Sequence, residues 1–283
     1  MAIDTNEDLE AFLQDPHYFS PSGRMLLGPV DADANTALML SIRGAHEQAF
    51  DILLKISIES NQVNVCNIKG VSALSHAAQK GRLKFCSSLL LSGALVNLAN
   101  HNGSTALIQA SHFGHASVVD LLIRHNAKVN VKNAKGTTAL MRAAQEGHDE
   151  VVSRLLCEPV EVNTRNEDGM NALMLGSQRG HSKIVSTLIV SGASVDGRTV
   201  QGSTALMLAC KRGHINVVQT LLRAGAELAV KDTKGRTARD QVNGPVFTLY
   251  ELLRPIIFFF FLMQRLHVEA SKIFLNFLIL RNR

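Results

Sequence analysis

The sequence contains little aromatic or cysteine chemistry. Among its 283 residues there is no tryptophan and only 5% are aromatic, so a core of Leu, Val, Ile, Ala and Met is expected. The four cysteines, Cys66, Cys86, Cys157 and Cys210, form no CxxC pair and therefore predict neither a zinc site nor a disulfide framework. Cys210 stands where a repeated pattern otherwise places Ala or Ser, and we interpret it as a buried small side chain.

Catalytic signatures are also missing. No nucleophile elbow, phosphate-binding glycine loop, HExxH sequence or kinase signature occurs, so the sequence predicts no enzyme activity and no cofactor. Of the eleven histidines, four occupy one repeated position directly after a glycine: His115, His148, His181 and His214. Because whole repeats separate them, we expect ring hydrogen bonds at turns between helices and no metal site.

No apolar segment is long enough, without charges, to cross a bilayer. The start, MAIDTNEDLEAF, is acidic where a signal peptide would be basic, which predicts a cytoplasmic protein, with the nucleus as the alternative. Near the C-terminus, the uncharged run between Arg254 and Arg265 is half of the ~20 residues that a spanning helix needs. For residues 242–283 three interpretations stay open: a hydrophobic cap on the last repeat, a membrane anchor through residues 246–280, or an end without evolved structure.

A strict 33-residue period is what the sequence has in abundance. Six glycines repeat at this spacing: Gly70, Gly103, Gly136, Gly169, Gly202 and Gly235. Ser, Thr or Asn follows each glycine by two residues and is itself followed by alanine. A period of this size is typical of a solenoid, in which each unit buries its apolar face only against its neighbours.

One period, residues 133–165, predicts the structure of each unit. Gly136 lies in a polar turn, Thr138 supplies the side-chain oxygen of a helix N-cap, and a first helix covers 139–146. Gly147 ends that helix, and a second one is predicted over 149–157. Both helices are below the ~12 residues needed for stability in water, so stacking must hold the units together.

These motifs resemble the ankyrin repeat over roughly residues 31–241. The family's TPLH motif is TALM in three units and NALM in a fourth, where a methionine interpreted as a packing residue replaces histidine: Met39, Met141, Met174 and Met207. The resemblance implies an all-α solenoid of helix-turn-helix units with short hairpin-like loops. Its predicted organisation is an N-terminal extension (1–30), an atypical unit 1 (31–66), complete units 2 to 6 (67–99, 100–132, 133–165, 166–198 and 199–231), an atypical unit 7 (232–241) and the tail.

By resemblance, such arrays bind proteins through their loops and first helices, which line a concave groove. Charge is unevenly distributed here: residues 67–241 carry 21 basic and 12 acidic side chains, whereas residues 1–66 carry 3 and 10. The last position of four successive units is always positive: Lys132, Arg165, Arg198 and Lys231. Further basic residues are expected near the groove: Lys135, Arg179, Lys211, Arg212 and Arg236.

These residues predict a protein partner with an acidic or phosphorylated segment, because arginine binds carboxylate or phosphate bidentately. The scarcity of aromatic residues at these positions disfavours nucleic acid. Three alternatives remain: a simple solvated charged edge, a protein anchored at a cytoplasmic membrane surface by its tail, and a substrate adaptor for a signalling or ubiquitin-ligase complex.

Overall fold

In the computed structural model, which describes residues 31–241, twelve α-helices form six antiparallel pairs. The first helices are α1 (Ala37–Gly44), α3 (Ala73–Gln79), α5 (Ala106–Phe113), α7 (Ala139–Glu146), α9 (Ala172–Arg179) and α11 (Ala205–Arg212). The second helices are α2 (Glu47–Glu59), α4 (Leu83–Leu91), α6 (Ala116–Arg124), α8 (Asp149–Leu155), α10 (Ser182–Val190) and α12 (Ile215–Arg223). A 3₁₀ turn, Arg239–Gln241, packs on α11. Each first helix contacts the next, so the described chain is an all-helical solenoid.

The N-cap prediction is confirmed at every first helix. The side-chain oxygen of Thr138 accepts a hydrogen bond from the Met141 amide at 3.3 Å. Equivalent bonds of 3.0–3.4 Å start the other five helices, from Thr36, Ser72, Thr105, Asn171 and Thr204. The cap fixes where each helix begins, and therefore which of its residues face the core.

Helix α8 ends earlier than its predicted boundary at Cys157. It stops at Leu155, two residues before the equivalent ends of the other complete units. Other units leave this helix through a left-handed residue, such as Gly192 at φ 85°, but here that place is taken by Pro159. Proline cannot adopt positive φ, and it disfavours the helical conformation of the residue before it.

The core runs continuously along the array between first and second helices. The repeated leucines of the first helices, including Leu140 and Leu173, are at most 4% exposed. The four methionines of the TALM and NALM motifs are at most 1% exposed, which confirms that they are packing residues. Cys210 is also buried, and burial raises the pKa of its thiol to about 11, as expected for an unreactive side chain.

Histidine side chains join consecutive units. The Nε2 atom of His148 lies 2.9 Å from the carbonyl oxygen of His112, which belongs to the preceding unit. Because a carbonyl only accepts, Nε2 must carry the proton. The same bond joins His115 to Gln79, His181 to Gln145 and His214 to Gln178, at 3.0–3.2 Å. The predicted ring hydrogen bonds are confirmed, but each reaches into the neighbouring unit and not into its own turn.

Glycine is required beneath each of these rings. Gly114 has φ +78°, and a Cβ atom added to it would lie 2.5 Å from Nδ1 of His148. The position therefore demands both a left-handed backbone and the absence of a side chain. Gly81, Gly147 and Gly180 meet the rings of the following histidines in the same way.

The loops are joined by two further sets of hydrogen bonds. At the loop tips, the backbone amide of Ala134 donates to the carbonyl of Asn102 at 2.8 Å, and the pattern continues along the array. Behind the second helices, the Asn130 side chain donates to the Pro159 carbonyl at 3.1 Å and accepts from the Glu161 amide at 3.0 Å. Asn64, Asn97 and Asn163 make the same pair of contacts with the next unit.

Truncating a central core leucine should strongly destabilise the array. We expect Leu140→Ala or Leu173→Ala to lower the free energy of unfolding by about 2–5 kcal/mol, and Leu38→Ala in unit 1 by less. Val190→Ala is the control, because Val190 is 86% exposed and its truncation should change stability by no more than ~0.5 kcal/mol. Equal losses at Leu38, Leu140 and Leu173 in denaturant titrations would contradict a linear array.

The contact between Gly114 and His148 should appear as an energetic coupling. Gly114→Ala should cost about 1–3 kcal/mol because alanine at positive φ is strained and its methyl group displaces the ring. His148→Ala should cost about 0.5–1.5 kcal/mol through the lost hydrogen bond. In the double variant the displaced ring is gone, so its loss should fall short of the sum by at least ~0.5 kcal/mol. Additive losses in thermal melts would show that the two sites are independent.

Candidate functional site

The predicted basic residues fall into two structural groups. Lys132, Arg165, Arg198 and Lys231 lie at the base of successive loops, whereas Arg179, Lys211 and Arg212 lie at the ends of first helices. Lys135 lies at a loop tip. All eight are exposed, and none forms an ion pair with a described carboxylate. We call these eight residues the basic surface.

Arg236 does not belong to this surface. Its guanidinium binds Asp232 through two nitrogens, at 2.9 and 2.7 Å. The Asp232 carboxylate is buried, and the hydrogen bond from Arg236 lowers its pKa. The charge of Arg236 is thus neutralised within unit 7, so we no longer include it among the residues expected to bind a partner.

Two of the loop-base residues also hold the array together. Nη1 of Arg165 donates to the backbone carbonyl of Arg198 at 3.0 Å, and Nη2 of Arg198 donates to that of Lys231. Each of these two guanidiniums therefore links its own unit to the next. Lys132 makes no described side-chain hydrogen bond or ion pair.

On the second helices, three of the six cations are paired with carboxylates, and Lys55, Arg124 and Arg223 are not. Nζ of Lys84 lies 2.5 Å from Oε2 of Glu47, and Nζ of Lys183 lies 3.2 Å from Oδ2 of Asp149. Each of these ion pairs joins adjacent units. Arg154 binds both Asp120 and Glu150. Unpaired positive charge is therefore concentrated on the loops and first helices. The exposed loop tip of Glu167 and Asp168 in unit 5 interrupts it.

Two clefts open along the first helices, and loop residues line the larger one. The larger, of about 530 Å³, lies between units 3 and 4 and includes Gln109, His112, Lys135 and Arg142 in its lining. The smaller, of about 340 Å³, lies between units 5 and 6 and is lined by Gln178, Arg179, Arg212 and His214. The structure thus brings Arg179 and Arg212 around one cleft. Arg142, which lines the larger cleft, is not among the residues that the sequence predicts to lie near the groove.

Two histidines of the first helices, His76 and His112, have lowered pKa values. Burial lowers the pKa of His112, although Glu146 at 3.8 Å opposes this effect. Burial and the neighbouring cations Lys80 and Arg43 lower the pKa of His76 to about 4, so this ring is neutral at pH 7. Within residues 31–241 no group of histidine, cysteine and acidic residues is arranged to hold a metal ion.

No described helix combines the length and apolarity that crossing a bilayer requires. The predicted anchor over residues 246–280, like the N-terminal extension, lies outside the described part of the chain.

Comparisons with known proteins agree with this architecture. A family model described as ankyrin repeats (3 copies) matches residues 17–100, 75–166 and 143–232. The crystal structure of the human ASB11 ankyrin repeat domain superposes with a TM-score of 0.69 at 25% identity, covering 75% of this chain and 93% of that one. The ankyrin repeat domain of Bcl-3, a member of the IkappaB protein family, gives a TM-score of 0.65 at 22% identity, with coverages of 75% and 96%. No curated protein sequence matches.

The family model covers well over half of the chain, and the structures share its fold. Ankyrin repeats bind protein partners and are generally non-enzymatic, so the array is a protein–protein interaction domain. The chain belongs to the ankyrin repeat family.

Proposed function

We propose that the array is a non-enzymatic scaffold that binds an acidic segment of a partner protein along its loops and first helices. The observation that supports this most is the contrast between its two faces. Three of the six cations on the second helices (Lys84, Arg154 and Lys183) are paired with carboxylates in adjacent units, whereas none of the eight exposed cations of the basic surface has a described carboxylate partner. An acidic segment supplies the missing opposite charges.

Basic residues occur on the surfaces of many soluble proteins, so their position matters more than their number. The family resemblance leads us to expect binding on this face, and here two clefts open on it. Both clefts contain cations, Lys135 and Arg142 in one and Arg179 and Arg212 in the other. Clefts between these cations are expected of a surface that binds a partner. They are not expected of a simple solvated charged edge.

Reversing charge on the basic surface should weaken the binding of acidic ligands far more than the same change elsewhere on the protein. We expect Lys132→Glu, Lys135→Glu and Lys231→Glu together to weaken binding of a fluorescent Asp/Glu-rich peptide library at least tenfold. Three exposed contacts of up to ~1 kcal/mol each are sufficient, since ~1.4 kcal/mol is a factor of ten. Fluorescence anisotropy at low and physiological salt gives the measurement.

The matched control places the same three charge reversals on second helices, as Lys55→Glu, Arg124→Glu and Arg223→Glu. These residues are exposed and lack described ion pairs, so net charge changes equally while the basic surface stays intact. Arg165 and Arg198 are left unchanged because their guanidiniums hydrogen-bond to the next unit. If both triple variants weakened peptide binding equally, the basic surface would be a solvated charged edge and not a binding site.

A further inference from the structure

We propose that the cleft between Arg179 and Arg212 binds one phosphorylated serine or threonine side chain of the partner segment. This inference rests on the proposed function, because it assigns a particular chemistry to one point of the same surface. The cleft has a volume of about 340 Å³ and four lining residues. That volume is at the lower end of ligand clefts, which run from ~300 to ~1,000 Å³, and suits one side chain better than a folded element.

The guanidiniums are the donors that this cleft offers to an anion. Nε2 of His214 is already bonded to the Gln178 carbonyl at 3.0 Å, across the same pair of units. Arg179 and Arg212 end α9 and α11, are exposed, and pair with no described carboxylate. The His214 bond fixes the two helix ends relative to each other, so both arginines flank one space.

The fold does not require arginine at these helix ends. A cation there is favourable to the helix dipole, but the equivalent residues of units 2, 3 and 4 are Lys80, Phe113 and Glu146. Among the complete units, units 5 and 6 are therefore the one adjacent pair in which both units have arginine at this position. This difference between otherwise similar units points to a ligand and not to packing.

Phosphate matches the charge of this cleft better than a carboxylate does. Two of its four lining residues are arginines, so the cleft carries two positive charges. A phosphorylated side chain carries about −1.5 to −2 at pH 7 and three strong acceptor oxygens, enough for both guanidiniums to bind at once. A glutamate supplies one negative charge and two oxygens.

The larger cleft, between units 3 and 4, predicts a second residue of the partner segment besides the phosphorylated one. It lies two units earlier, and its cations, Lys135 and Arg142, suit an acidic side chain. Packed helices are ~8–10 Å apart, so two steps along the first helices span ~16–20 Å. An extended chain advances ~3.3 Å per residue, so the acidic residue should lie about five or six positions from the phosphorylated one.

Three peptide libraries test the proposal on the full-length chain. Each has randomised flanks and one fixed central residue: phosphoserine, serine or aspartate. Phosphoserine peptides should bind at least tenfold more tightly than the serine library, and the aspartate library should bind between them. Arg179→Ala and Arg212→Ala should each lower the affinity for the phosphoserine library about tenfold. The control Arg223→Ala, at the end of second helix α12, should leave that affinity unchanged. Sequencing of captured peptides should show acidic residues five or six positions away.

The outcomes separate this inference from the proposed function. Equal capture of the phosphoserine and serine libraries, or phosphoserine capture that survives both arginine replacements, would overturn the phosphate site. If acidic peptides still lost binding on reversal of Lys132, Lys135 and Lys231, the scaffold function would stand without it. A random single-stranded RNA is the competitor. If RNA bound more tightly than the phosphoserine library, and lost that affinity in the same two variants, the cleft would be a nucleic-acid site.

Discussion

In units 3 to 6 the histidine between the two helices donates a hydrogen bond to a backbone carbonyl of the unit before it, and the spacing of these units depends on this bond. The first helices have seven or eight residues, too few to be stable alone in water. The ring rests on a glycine at positive φ and bonds the carbonyl at 2.9–3.2 Å in four successive interfaces. Unit 2 has Arg82 at this position, so its interface with unit 1 lacks the bond. Together with the loop-tip amides and the asparagines behind the second helices, the histidines fix the spacing of the units.

That fixed spacing determines where charge can accumulate. Side chains at one position of the period line up along the array, so basic residues in loops and at first-helix ends form one surface, interrupted at Glu167 and Asp168. Arg165 and Arg198 belong to the basic surface and also connect units, since each exposed guanidinium donates a hydrogen bond to the next unit. An acidic ligand on this surface would therefore interact with residues that already connect units, and we expect its binding to stabilise the array.

The sequence predicted the fold in detail because the period alone locates turns, caps and helices. Gly136, Thr138 and the helix that follows were predicted correctly from one unit. The partners of the histidines were not, because 36 residues separate each ring from its carbonyl and no local pattern encodes that pairing. The asparagine contacts were missed although Asn64, Asn97, Asn130 and Asn163 keep the 33-residue spacing. The pairing of Arg236 with Asp232, and the end of α8 at Leu155, depend on side-chain geometry and on Pro159.

The most direct test of the account is to remove one period from the chain and compare it with a near-period deletion at the same point. Deleting residues 143–175 removes 33 residues and joins Arg142 to Gly176, so that His181 meets the His112 carbonyl in the original register. Deleting residues 143–172 removes 30 and lengthens one first helix by three residues, which rotates it by about 300° and moves the histidine away from its carbonyl. Circular dichroism melts should show a single cooperative transition at a lowered temperature for the first deletion, and loss of that transition for the second. Equally cooperative melting of both, at the same temperature, would show that the inter-unit hydrogen bonds do not set the spacing of this array.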